Sequence, residues 1–407
     1  MKNFYFLCII LCINLYSYGQ IWNPDIDEKT YRNPIIHADY SDPDVIRVGD
    51  AFYMTASSFN ATPGLPILYS KDMIHWKLVN HALPKQIPEE VFQNPQHGKG
   101  VWAPSIRFHN ETFYIYWGDP DFGIYMVQTK DPFGTWEKPV LVLPGKGLID
   151  PSPLWDENGN AYLVHAWAGS RAGVKSLVMI NKMSYDGTKV LDEGIHVYDG
   201  HMINPTVEGT KFYKRNGYYY IFAPAGGVEF GWQLVLRSKQ IYGPYEVKRV
   251  LEQGSTNTNG PHQGAWVSAP NGTDWFYHFQ DKGPYGRIVH LQPMKWVDNW
   301  PVMGIDVDKN GIGEPVESFT KPIFVSNSKW TPQTSDNFEE AHIGLQWQWN
   351  ANPSIKWYTK LPGNDYLRLF PFRSVNDNLL HNPNVLLQKF PAPNFVATTK
   401  MELTPEN

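Results

Sequence analysis

Cysteine is nearly missing from this chain of 407 residues: Cys8 and Cys12 are the only two, both close to the N-terminus. The remainder therefore holds no disulfide, no thiol nucleophile and no cysteine-ligated metal. Long apolar runs are also scarce. The one such run, Phe4 to Leu15, is too short for a comfortable membrane span. It follows Lys2 and precedes Ser17-Tyr18-Gly19, which reads as an export leader over residues 1–19 cleaved after Gly19. Lipid anchoring through Cys12 is the weaker reading, because Leu11 stands where a small residue is expected. The exported chain would be a periplasmic, cell-surface or extracellular protein without disulfides, which a domain of this size tolerates. Strong charge is absent: a net charge of -5 gives no electrostatic reason to expect nucleic acid. There is no P-loop, no dinucleotide fingerprint and no His-Glu-x-x-His.

Beyond residue 30 helical periodicity is lacking too, and short β-rich runs alternate with turn signals. Aromatics make up 15% of the chain, with 33 Gly and 33 Pro, as suits many short strands and turns. A turn followed by an aromatic strand recurs. Gly49-Asp50 precedes Phe52-Tyr53, His109-Asn110 precedes Phe113-Tyr114, and Asn158-Gly159 precedes Tyr162. Asn216-Gly217 precedes Tyr218-Tyr219-Tyr220, and Asn271-Gly272 precedes Trp275-Phe276. Taking Tyr53, Tyr114, Tyr162, Tyr219 and Phe276 as anchors, the period is roughly fifty residues, the signature of propeller blades. The fold class expected is all-β: a five-bladed β-propeller over residues 30–328. A pair of β-sandwiches is the alternative that the repeat argues against.

The first strand of each blade starts near the propeller axis. Counting back from each anchor gives Asp42, Trp102, Asp150, Glu208 and His262, which are read as one position of the repeat and so converge at the mouth. Three carboxylates there suit glycoside hydrolysis: one ionised to activate water, one protonated for the leaving oxygen, one to tune the pair. Asp42-Pro43 and Asp150-Pro151 each place a stiff residue after the acid. Glu208 has few charges nearby in sequence, as a raised pKa requires. Asp44 is taken to face away from the axis by strand alternation. Asp306 to Gly311 with Glu317 matches the pattern of a calcium-binding EF-hand loop, but its flanks are strand-like and Pro315 interrupts it, so a polar hairpin turn is the better reading.

These residues resemble the family 43 glycoside hydrolases, five-bladed propellers that include β-xylosidases and α-L-arabinofuranosidases. The resemblance is carried by Asn33-Pro34-Ile35, Ser41-Asp42-Pro43-Asp44, Gly64-Leu65-Pro66-Ile67, Val101-Trp102-Ala103-Pro104-Ser105, Ile149-Asp150-Pro151-Ser152, Glu208-Gly209 and Gly260-Pro261-His262-Gln263-Gly264. It implies Asp42 as general base, Asp150 as the residue that orients the acid and raises its pKa, and Glu208 as general acid. It also implies inversion, with the Asp42 and Glu208 carboxyls roughly 6.5–9.5 Å apart. His262 matches a histidine at the base of the pocket that in many relatives ligates a structural metal ion, often calcium. No cofactor is implied for the chemistry. Arg287 matches an arginine that grips sugar hydroxyls, and Phe59 and Trp102 match aromatic walls of the first sugar subsite. The expected substrate is an oligosaccharide or polysaccharide of the plant cell wall that loses terminal β-D-xylose, with α-L-arabinofuranose the close alternative. A non-catalytic carbohydrate-binding propeller is a rival that the intact acid set disfavours, and a protein-interaction propeller is a third.

Residues 333–407 read as the start of a C-terminal β-sandwich, with Leu345 to Trp349 and Phe395 to Lys400 as alternating strands. The stretch is too short to close a sandwich, so the sequence is expected to be cut short here.

Overall fold

Five four-stranded antiparallel sheets succeed one another, each made of consecutive strands in chain order. The computed structural model describes residues 21–323, 329–373 and 377–404; the leader expected over 1–19 lies outside the described residues. Blade one comprises Asp44–Val48, Ala51–Thr55, Gly64–Ser70 and Lys77–Leu83. Blade two comprises Trp102–His109, Thr112–Asp119, Gly123–Thr129 and Val140–Pro144. Blade three comprises Leu148–Trp155, Ala161–Trp167, Leu177–Met183 and Ile195–Asp199. Blade four comprises Lys211–Arg215, Tyr218–Ala225, Trp232–Ser238 and Glu246–Leu251. Blade five comprises Trp266–Ser268, Asp274–Asp281, Arg287–Val297 and Trp300–Met303. The first strands contact one another around the axis.

Turn chemistry sets the first hairpin of each blade. Asn216 (φ 50°) and Gly217 (φ 75°) form a two-residue turn with Arg215 paired to Tyr218. At Asn158-Gly159 and Asn271-Gly272 the hairpins are longer, and only the glycine takes positive φ. The ring closes without a disulfide. The N-terminal segment runs along blade five, where Ile35 N donates to Val289 O at 2.8 Å and Val289 N to Ile36 O at 3.0 Å. The Asn33 side chain both donates to and accepts from the backbone of Leu291, at 2.8 Å each way. Apolar residues of blades one and five, among them Val45, Phe52, Trp76, Tyr277 and Leu291, form one buried cluster with Tyr31 and Ile35 at this seam.

The inner end of every first strand carries the same kink. One residue takes positive φ: Asp42 (55°), Ala103 (33°), Asp150 (57°), Gly209 (64°) and Gln263 (53°). The residue before it pairs with the second strand, as in Ser41 with Ser57, Glu208 with Pro224 and His262 with Phe279. In blades two and three the ladder register slips here, the mark of a bulge. Two residues beyond the kink, the ladder resumes in equal phase at Asp44, Ser105, Ser152 and Lys211. The reading of Asp42, Trp102, Asp150, Glu208 and His262 as one position is therefore corrected to two adjacent positions. Asp42 and Asp150 are kink residues, whereas Trp102, Glu208 and His262 precede the kink. For Glu208 and His262 the offset arose because Tyr219 and Phe276 are not in phase with Tyr53, the ladder making Tyr220 and Trp275 its equivalents; Trp102 lies one residue further back from Tyr114, which is in phase, than Asp42 does from Tyr53.

Residues 335–404 form a small module with two short ladders, Gln348–Trp349 with Leu386–Leu387 and Tyr358–Thr359 with Arg368–Leu369. Trp349, Ala351 and Trp357 make its core. Phe395 to Lys400, expected as a strand, has no ladder partner among the described residues. The module is pinned to blade one. Thr62 and Trp349 exchange backbone hydrogen bonds at 3.0 and 2.6 Å, and the Asn352 amide both accepts from and donates to the Gln86 backbone at 2.7 and 2.9 Å. Among the described residues no helix is long and apolar enough to cross a membrane. The 306–311 segment is a hairpin turn closed by the Ile305–Glu314 bridge, with Asp306 accepting from the amides of Asn310 and Gly311.

Candidate active site

The kinks bring three acids to one end of the axis. The Asp42 carboxyl is buried and held from three sides. Ser41 Oγ and Ser57 Oγ donate to Oδ2 at 2.8 and 2.5 Å, and Arg287 donates to Oδ1 at 3.0 Å. Arg287 also reaches Ser41 Oγ at 3.0 Å. Its backbone is set by Asp39, which accepts from Arg287 N, and by the bare Gly286, where a Cβ would collide with Asp39. Asp150 is buried as well; Oδ2 accepts from Gly209 N at 2.6 Å and its backbone carbonyl accepts from Thr210 Oγ1. Asp150 is thus locked to the strand that begins beside Glu208.

Glu208 differs from both. Among the described residues nothing donates a hydrogen bond to its carboxyl, and it is half-buried at the mouth. Burial, then the charges of Asp150 and Asp42, push its pKa up to about 8. Burial also raises Asp150, with Asp42 adding to it, against the Gly209 amide that pulls it down. The site so arranged has one well-donated carboxylate and one carboxyl that favours its proton, the asymmetry that general acid–base work needs.

Beneath the mouth lies a second ring, formed by Asp44, Ser105, Ser152 and Lys211, all fully buried. Asp44 does not face away from the axis, because two residues make a full period of a strand and return it to the side of Asp42. Its Oδ2 accepts from Arg107 at 2.6 Å and from Ile106 N at 2.7 Å. Arg107 continues to Ser152 Oγ at 2.7 Å, and Lys211 Nζ donates to Pro104 O and Ser105 Oγ at 2.7 and 2.9 Å. Four blades are thereby linked.

The walls stand at the same end. Phe59, at φ 49°, exchanges backbone hydrogen bonds with Val101 at 3.0 and 3.1 Å, which bridges blades one and two across the rim. Trp102 packs on Ile149, Ala166 and Ala168; its Nε1 donates to Gly98 O, and the Arg171 guanidinium lies 5.5 Å from its ring. His262 sits beside the mouth with its ring 5.0 Å from Phe279, over which Arg287 also lies. Its Nδ1–H donates to Gly260 O at 2.7 Å, and burial holds its pKa down at about 4, so the ring is neutral. That leaves one imidazole nitrogen free of this bond. Calcium takes six to eight oxygens, and among the described residues no group of three His, Cys, Asp or Glu is placed to hold a metal. The donor set does not fit the expected calcium.

Sequence reasoning missed Ser57, Lys211, Arg107 and Asp119. Asp119 ends the second strand of blade two beside Trp102's partner Gly118, and burial raises its pKa to about 7. The signal was present: Asp119-Pro120 repeats the acid–proline pairing of Asp42 and Asp150. Ser57 and Lys211 carried no sequence signal.

Known proteins share this architecture. Residues 31–301 match the model of the glycosyl hydrolases family 43, and residues 335–407 match that of a beta xylosidase C-terminal concanavalin A-like domain. A putative beta-xylosidase of Xylanibacter ruminicola is 44% identical over 93% of this chain and 70% of its own length. A beta-xylosidase of Formosa agariphila is 38% identical over 89% of this chain and 65% of its own. A non-reducing end alpha-L-arabinofuranosidase of Bacteroides ovatus is 32% identical over 100% of this chain and 76% of its own. Among solved structures, a family 43 protein of Bacillus licheniformis superposes with a TM-score of 0.73 at 26% identity, covering 89% of this chain and 72% of that one.

Proposed function

The chain belongs to the glycosyl hydrolases of family 43, and from that premise we propose that it is an exo-acting, inverting glycosidase that removes terminal β-D-xylose from plant cell-wall glycans. The observation that carries the assignment of roles is the contrast between two carboxyls at one mouth. Asp42 is gripped by Arg287, Ser41 and Ser57, while Glu208 has no donor among the described residues and a raised pKa. In this reading Asp42 takes a proton from water as that water attacks the anomeric carbon. Glu208 gives its proton to the departing glycosidic oxygen on the opposite face. The bond from carbon to the leaving oxygen breaks as the bond to water forms, and the configuration inverts. Afterwards Asp42 holds a proton and Glu208 is ionised; exchange with solvent resets both. Asp150 orients Glu208 through Gly209, and Arg287 holds Asp42 while offering its remaining N–H groups to sugar hydroxyls. Phe59 and Trp102 provide ring faces for the sugar.

The alternative sugar is α-L-arabinofuranose, favoured by the likeness across the whole chain to the Bacteroides ovatus arabinofuranosidase. We also propose that the protein is exported, on the strength of Lys2 and the apolar run after it. The test is hydrolysis of an unactivated aryl β-D-xyloside against an unactivated aryl α-L-arabinofuranoside, whose poor leaving groups need protonation, with Glu208→Ala alongside. Turnover of the xyloside that depends on Glu208 is the expected result. Preference for the arabinofuranoside transfers the assignment to the second sugar, and turnover of neither overturns both.

A further inference from the structure

The charges buried along the axis balance only if the site holds one proton. Four carboxyls lie there: Asp42, Asp150, Glu208 and Asp44. Three bases face them: Arg287 on Asp42, Arg107 on Asp44, and Lys211. If all four acids were ionised, one negative charge would remain uncompensated in a buried place, which is costly. A single added proton brings the sum to zero. Inversion moves one proton off the general acid and one onto the general base, so that sum is the same before and after the chemical step.

Lys211 is the base of the three whose partners leave its charge unspent. Arg107 pairs with Asp44 at 2.6 Å, and Arg287 pairs with Asp42 at 3.0 Å and, toward solvent, with the partly exposed Asp281 at 3.9 Å. Lys211 is completely buried, yet among the described residues its Nζ donates only to a backbone carbonyl and a hydroxyl. It belongs to the ring directly below the kink residues, two positions after Gly209, whose amide binds Asp150. Blade one presents Asp44 and blade two Arg107, blade three presents Asp150 with Ser152, Tyr213 follows on its own strand, and the equivalent position of blade five is the uncharged Ala265. Burial pulls the Lys211 pKa below its ordinary value, with Arg107 adding to that, while Asp44, Asp150 and Asp42 act to keep the amine charged.

We propose that Lys211 is a positioning residue that fixes the proton count of the catalytic carboxyls at one, the proton Glu208 delivers to the leaving oxygen. The proposal rests on the glycosidase reading above. Asp150 and Glu208 are the groups that take up a further proton when the lysine charge is removed. Lys175, on the segment tied to Thr206 through Ser176, and the neutral His262 remain as they are.

The experiment is the pH profile of kcat/KM on the aryl glycoside the wild type hydrolyses, for Lys211→Met, Lys211→Gln and Lys211→Met combined with Asp44→Asn. Loss of the lysine charge is expected to move both limbs upward by roughly one pH unit, the effect of a unit charge several ångströms away inside a protein. The double variant, which again balances three acids against two bases with one proton, is expected to return the limbs toward wild type. A role in packing alone moves neither limb and gives no such return. Folded variants with wild-type limbs overturn the proposal. A second measurement does not depend on those variants folding: the infrared band of protonated carboxyls at neutral pH, taken as wild type minus the double variant Asp150→Asn with Glu208→Gln, in which the contribution of Asp119 cancels. One equivalent is expected; none, or two, overturns the count. Failure of the wild type to hydrolyse either glycoside overturns the functional reading instead, and the infrared count still decides the proton number.

Discussion

Ser57 Oγ donates to Asp42 Oδ2 at 2.5 Å and accepts from the amide of Ala103, in the next blade, at 2.7 Å. One hydroxyl therefore ties the expected base to the kink of blade two. Ser57→Ala removes both bonds and leaves a buried amide unpaired, at a cost of about 1–3 kcal/mol. Turnover is expected to fall by about tenfold or more as Asp42 loses its alignment. Steady-state kinetics with a thermal unfolding curve separates the two effects.

Asp42→Ala is expected to abolish turnover on every aryl leaving group alike, by at least about a thousandfold, because activation of water does not depend on the leaving group. The fold should survive, since the blade strands do not need this side chain. Near-normal kcat would remove Asp42 from the base role.

Glu208→Ala is expected to act unequally. A leaving group that departs easily needs little protonation, so the loss should be small on an activated aryl glycoside and about 10²–10⁴-fold on an unactivated one. The sign of the pH dependence follows from the raised pKa. The protonated form is the active one, so wild-type kcat/KM should decline as pH rises through about 8. That limb should vanish in Glu208→Gln, which cannot ionise.

Arg107→Met strips the ion pair from Asp44, which has no exposure at all. Leaving a buried carboxylate without its partner costs about 3–5 kcal/mol. The expected outcome is a large fall in denaturant midpoint. A change below about 1 kcal/mol would mean that the Ile106 amide alone suffices for Asp44.

Asn352→Ala deletes the reciprocal pair of hydrogen bonds with the Gln86 backbone. Residues 335–404 should loosen from blade one, seen as faster amide exchange around Thr62 and Trp349. The cost expected is about 1–3 kcal/mol, from the buried backbone groups left behind.

The blade count and the acid set were legible because they depend on local signals. Turns before aromatic strands repeat, and Asp42, Asp150 and Glu208 recur at nearly constant distance from them. The exact phase was not legible. Tyr218, Tyr219 and Tyr220 are interchangeable by type, and only ladder pairing shows that Tyr220 is the counterpart of Tyr53. Asp44 was misread for a different reason, since a period of two places it below Asp42 and on the same side. His262 was located at the mouth, but its suitability for calcium depended on neighbours from other blades, which among the described residues place no group of three His, Cys, Asp or Glu to hold a metal.

The amino-acid order by itself determined an all-β chain of repeated hairpins, because turn propensity and strand alternation act over a few residues. It also determined which acids are stationed at the inner ends of strands. Only the tertiary structure decided the surroundings of those acids. Glu208 is raised because burial and two carboxylates from other blades surround it, and Asp42 is gripped by Arg287, which lies 245 residues away in the chain. Closure of the ring brings such groups together, and the low dielectric at its axis makes their charges depend on one another.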